Sequence, residues 1–188
     1  DLYAKEATFV LQNGDDFNSL IPDNATAVYF TDEVMPETAD LIDVDNDGDC
    51  GVVAWMDGNI MKVSSQISDV NIIANQNCKN MFNKKTNLSE IYFDNTDTSS
   101  MTNMQSMFYG CSGLQKLDLM SFDTSKVIYM NSTFANCNQL KQVNVKSFNT
   151  SSVTNMNSMF SGCENLESID VSNFDTKNVK NIGYMFVS

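Results

Sequence analysis

The chain has 188 residues and a formal net charge of −13, and all eleven of its basic residues are lysines, since arginine and histidine are both absent. A surface of that sign repels phosphate backbones and anionic headgroups, so nucleic acid and direct membrane insertion are set aside, and no apolar run approaches the roughly 20 residues of a membrane span. Without histidine there is no Ser-His-Asp or Cys-His pair and no imidazole metal ligand.

In chain order, the opening "DLYAKEATFV" lacks a charged region followed by an apolar one. A mature or trimmed form is therefore expected, with any export signal already removed. "NGDDFNSLI" reads as a short helix ended by Pro22, and "ATAVYF", residues 25–30, as a strand. "GVVAWMDGNIMKVSS" reads as a hairpin turning at Asp57-Gly58, with Trp55 in its core and an edge free to pair with the first repeat strand. Residues 1–74 together are expected to form an N-terminal α+β cap that covers the open end of a repeat array.

Between strand and hairpin lies "DVDNDGDCG", residues 43–51. Asp43, Asp45 and Asp47 followed by Gly48 match the first half of a calcium loop, with hard oxygens at alternate positions and glycine at the sharp turn. The twelfth position of such a loop should be glutamate and is Ala54, and a hairpin strand stands where a flanking helix belongs. Two readings stay open: a plain acidic turn, which is preferred, and a structural calcium site, the one cofactor considered.

From residue 75 the chain repeats with a period of 26. Phenylalanines fall at Phe82, Phe108, Phe134, Phe160 and Phe186, and four places earlier stand Cys78, Met104, Met130, Met156 and Ile182. Leu88, Leu114, Leu140 and Leu166 form another column, and Thr98, Thr124, Thr150 and Thr176 a further one. Lys79, Gln105, Asn131, Asn157 and Gly183 mark an outward face. Such periodicity indicates units that bury their apolar faces against one another. Within a unit, "LQKLDL" alternates as a short strand, whereas Val127, Met130, Phe134 and Cys137 are spaced as one face of a short helix. Asp123, Thr124 or Ser125 would cap that helix. Four complete units and the start of a fifth occupy 75–188, and the stop at "YMFVS" leads us to expect further units beyond it.

Five cysteines suggest a disulfide set, but the register puts Cys111, Cys137 and Cys163 in one inward column and Cys78 in the methionine column. Buried free thiols are the preferred reading, and nothing basic shares those columns to activate a nucleophile.

The string "FDTSKVIYMNSTFANCNQLKQVNV", its copies, and "GVVAWMDG" resemble the BspA-like leucine-rich-repeat proteins of bacterial surfaces, and more narrowly the mycoplasma-type domain of unknown function. Departures are Thr96 for the turn phenylalanine, Lys85 for a cysteine and Thr133 for a methionine. The resemblance implies an α/β fold: a right-handed leucine-rich-repeat-type solenoid of short parallel strands and short helices. It also implies export, surface display and a recognition or adhesion role, with no catalytic residues to carry over.

Solenoids of this type bind through the outward strand positions. Here Tyr92 would be the aromatic anchor, with Lys116, Asp118, Met120, Asn144, Lys146 and Asp170 around it, and the partner a host matrix or bacterial surface protein or glycan, met by a monomer. The alternatives are a stalk without a ligand of its own and, remotely, a glycosidase. Asp118 and Asp170, two strands apart at about 10 Å, exceed even the separation of an inverting carboxylate pair.

Overall fold

In a computed structural model that describes residues 8–187, Asn13 accepts the Asp16 N–H on its side chain and so starts helix α1, Gly14–Leu20. Ile21 ends the helix by donating its N–H to Asn18, and Pro22 forbids continuation. Gly14 is required where it stands: a Cβ there would collide with the Lys79 carbonyl, so the helix start lies directly on the first repeat unit. Phe17, fully buried, meets Phe30 and Phe82 at ring-centroid distances of 6.0 Å each. The first seven residues of the expected cap lie outside the described residues.

The strands are β1 (Ala27–Thr31), β2 (Ile42–Asp43), β3 (Val53–Asp57), β4 (Ile60–Ser64), β5 (Ile72–Ile73), β6 (Glu90–Phe93), β7 (Thr96–Asp97), β8 (Lys116–Asp118) and β9 (Gln142–Asn144). A mixed five-stranded sheet runs β2-β3-β4-β1-β6, and β5-β7 and β8-β9 form two parallel pairs. Two expectations need correction. The hairpin register pairs Asp57 with Ile60, so the turn residues are Gly58 and Asn59, with a positive φ of 60° at Gly58. That is glycine at the first central position of a tight hairpin. Nor does the hairpin pair with the first repeat strand: β1 lies between them, parallel to β4 on one side and β6 on the other.

The expected fold class, an α/β solenoid of strands and short helices, is also corrected. Among the described residues α1 is the only helix, seven residues long, and the strands fall into mixed and short parallel sheets. Within the expected helix, Tyr129 forms parallel bridges to the neighbouring units and residues 131–136 are a run of tight turns. Their hydrogen bonds explain why. Every second N–H is donated to the following unit: Cys78 to Asn103 at 3.0 Å, Asn80 to Gln105 at 3.0 Å, Phe82 to Met107 at 2.8 Å and Lys84 to Tyr109 at 2.7 Å. The intervening N–H groups close turns within the unit, as Met81 does on Cys78 and Asn83 on Asn80. A helix would consume every N–H in its own i→i−4 bonds and leave none for the neighbour. Two left-handed residues per unit hold the alternation, such as Ser106 (φ 53°) with Gly110 (φ 68°) and Ser132 (φ 56°) with Asn136 (φ 59°). Glycine, serine and asparagine suit these places because short or absent side chains relieve the left-handed clash.

Stacked in this way, like side chains sit over like. Phe82, Phe108, Phe134, Phe160 and Phe186 stack in sequence with centroids 5.5, 5.5, 5.2 and 5.4 Å apart and planes within 5°. Methionines Met104, Met130 and Met156 and leucines Leu88, Leu114 and Leu140 are buried beside them in one core that runs from α1 to Phe160. Thr133, in a methionine place, stays buried because its hydroxyl is bonded to the carbonyls of Met104 and Met130.

Candidate functional site

Strand alternation puts Ile91, Phe93 and Leu117 inward and leaves Glu90, Tyr92, Lys116 and Asp118 on the outer face. β6 takes β1 as its ladder partner and β8 takes β9, and among the described residues no ladder joins β6 to β8. A groove of about 710 Å³ lies along this seam, lined on one side by Glu90, Tyr92 and Asp94 and on the other by Lys116, Asp118 and Met120. A second concavity of about 540 Å³ adjoins it and is lined by Lys116, Asp118, Asn144, Lys146 and Asp170 among others. All seven strand-face candidates therefore lie in two neighbouring concavities that share Lys116 and Asp118.

Tyr92 is 50 % exposed and Met120 54 %. Tyr29 holds Tyr92 from the side, the two rings meeting edge-to-face at 4.8 Å and 86°. The Tyr29 hydroxyl donates to Glu90 Oε2 at 2.7 Å, which, with partial burial, pushes the phenol up to about 12 and keeps it a donor at every physiological pH. Asp118 Oδ1 accepts the Asn144 side-chain N–H and the Met120 N–H, both at 3.0 Å. Asp170 is bonded to the Ser172 hydroxyl and N–H, which hold its carboxyl below the usual range.

Tyr29 was not among the sequence candidates. Its outward direction is readable from the inward Val28 and Phe30, but its contact with Tyr92 depends on parallel pairing between strands 63 residues apart. On the same face Tyr29 stands opposite Lys62, and Lys62 opposite Trp55. Lys62 is committed elsewhere, to Glu33 at 2.6 Å and Asp57 at 3.3 Å.

The acidic loop lies apart from this face. Carboxylate oxygens of Asp45, Asp47 and Asp49 come within 4.8 Å of one another, so the trio that gathers is one step along from Asp43, Asp45 and Asp47. Asp43 instead accepts the Asp45 N–H, and the same i to i+2 bond recurs from Asp45 to Asp47, Asp47 to Asp49 and Asp49 to Gly51. Asp45 is buried and also accepts the Val52 N–H at 3.1 Å. Burial raises its carboxyl to about 6.

The four repeat thiols are inward, Cys50 is exposed, and none of the five is paired with another. Cys111, Cys137 and Cys163 each donate to the carbonyl of a phenylalanine in the preceding unit, Phe82, Phe108 and Phe134, at 3.0 Å. Burial pushes Cys78 and Cys111 up to about 12 and Cys163 to about 11, and raises Cys137 as well, which keeps them protonated and weakly nucleophilic.

Comparison with protein families matches residues 53–144 and 116–188 to the family described as Mycoplasma protein of unknown function, DUF285. The chain belongs to this family. The two DUF285 matches overlap over 116–144, as expected where one repeating unit aligns to a family model in more than one place. They take in the hairpin, the groove and every repeat unit, while α1 and β1 fall before them. DUF285 carries no assigned activity, so it transfers no residue role to this chain. No curated protein and no solved structure matches the chain.

Proposed function

We propose that this chain is a non-catalytic recognition module, displayed outside the cell, that binds a host or bacterial surface protein or glycan through its strand face. One observation carries the reading: the seam between β6 and β8 opens a groove where a half-exposed tyrosine, a half-exposed methionine and charged side chains converge. Exposed aromatic anchors beside polar groups are typical of binding centres. The finer likeness to BspA-like surface proteins, drawn from the repeat strings quoted above, supports export and an adhesive role for a monomer that needs no cofactor.

A spacer array is the second reading. It is supported by the unbroken inter-unit hydrogen bonding from Cys78 to Val187, which makes such a stack stiff. The two separate on a binding screen of the purified chain against host matrix proteins, glycans and bacterial surfaces. Under the recognition reading, a partner is retained by the chain and lost on Tyr92→Ala with Asp118→Ala. Under the spacer reading, no partner responds to either change.

A further inference from the structure

We propose that the groove between β6 and β8 takes an extended polypeptide segment through its lysine or arginine side chains. This rests on the strand-face reading and narrows it to one partner chemistry. The groove is lined by the carboxylates of Glu90, Asp94 and Asp118 against the single ammonium of Lys116. Among the described residues none of these four is in an ion pair, the salt bridges being those of Lys62 with Glu33 and Asp57. The negative excess therefore faces solvent without an internal counterion, on a chain whose net charge of −13 already attracts cations. A concave, partly apolar wall concentrates that field and raises the encounter rate of an oppositely charged partner.

The aromatic wall agrees with the charge. Glu90 is held by the Tyr29 hydroxyl at 2.7 Å, and Tyr29 in turn stands edge-to-face against Tyr92 at 4.8 Å, so a carboxylate is fixed beside a half-exposed ring. An ammonium or guanidinium placed there gains both a charge-assisted hydrogen bond and a cation–π contact. An anionic glycan would meet three carboxylates and be repelled. A neutral glycan would leave the charge excess uncompensated. The adjoining concavity brings Lys116 and Lys146 together with Asp118 and Asp170, so the acidic excess lies at the β6 end and fixes where the basic residue sits. The outward rows from β6 to residues 168–170 cross four strand positions, about 15 Å, the reach of roughly five extended residues.

The test is fluorescence anisotropy on the whole chain at 50 mM salt with three labelled probes: a hexapeptide of alternating arginine and serine, its glutamate–serine counterpart, and a neutral glucose hexasaccharide. The arginine peptide is expected to bind best. Glu90→Gln with Asp118→Asn should weaken it about fivefold, as loss of exposed ion pairs does, and Lys116→Gln should tighten it. Glu37→Gln with Asp40→Asn removes the same charge from an exposed loop outside the groove lining and should change it less than twofold. Equal weakening by the two double variants, or no tightening by Lys116→Gln, overturns the basic-peptide inference. If instead the hexasaccharide binds best and loses binding on Tyr92→Ala, the inference falls while the strand-face reading stands. If no probe responds to Tyr92, Glu90 or Asp118, both fall.

Discussion

Thr124 and Asn149 exchange two hydrogen bonds: the Thr124 hydroxyl accepts the Asn149 N–H at 2.8 Å and donates to the Asn149 carbonyl at 3.0 Å. Thr150 repeats the exchange with Asp175 at 2.8 and 3.1 Å. At these two places a fully buried hydroxyl thus satisfies both backbone groups of one residue in the next unit, while Thr98 accepts the Asp123 N–H at 2.8 Å.

Thr124→Val keeps the shape of the side chain and strands both the N–H and the carbonyl of Asn149. A loss of about 2–3 kcal/mol is expected. Thr124→Ser, which keeps the hydroxyl, should lose less than about 1 kcal/mol. Urea titration of both variants checks this.

Left-handed backbone makes a second prediction. Gly162 has a φ of 72°, and a Cβ there would collide with the Asn136 side chain. Gly162→Ala should destabilise by about 1–2 kcal/mol. The reverse change at the equivalent place in the first unit, Lys84→Gly (φ 59°, exposed), should leave stability unchanged or raise it slightly. Thermal melting distinguishes the two.

How much of this was legible beforehand follows from what each pattern determines. The inward columns of phenylalanine, methionine and leucine were readable, because burial in a stacked unit depends only on which side chains recur; the threonine column was visible as a recurrence, but not its burial. The conformation between them was not. A spacing of three and four, as from Val127 to Met130 to Phe134, fits a helical face and a run of four-residue turns equally well. The tie is broken by Ser132 and Asn136, whose positive φ excludes a helix. Of the three cap candidates, Asp123 accepts the Ser125 N–H on its side chain and the Thr124 carbonyl accepts the Val127 N–H, closing a turn in place of a helix start. The groove was half legible. Outward strand positions were readable from alternation, but nothing in the repeat specifies that β6 pairs with β1 or that no ladder joins it to β8.

The thiols give a third prediction. At pH 8 a maleimide should label exposed Cys50 first, at a rate held down by desolvation and the neighbouring aspartates, while Cys78, Cys111 and Cys137, buried and with raised pKa, should react only as the chain unfolds. Mass spectrometry across a urea series reads it. Rapid labelling of Cys111 or Cys137 in the native chain would contradict the buried column.

Asp45 supplies a pH dependence. Its carboxyl rises from 3.8 to about 6 on folding, so between those values the folded state binds more protons than the unfolded one. Stability contributed by the protonated form is present at about pH 4 and is lost as pH climbs through about 6. Melting temperatures measured over that window should fall with pH, and Asp45→Asn should flatten the slope.

The most direct measurement of the central claim is a comparison of wild-type chain with Tyr92→Ala, Asp118→Ala and the double variant. Each is presented to the same panel of matrix proteins, glycans and bacterial surfaces, with melting curves recorded in parallel. A partner that wild type binds and the double variant loses by about tenfold or more, at unchanged melting temperature, is the predicted result. A partner held equally by all four chains would place recognition elsewhere on the molecule and contradict the account.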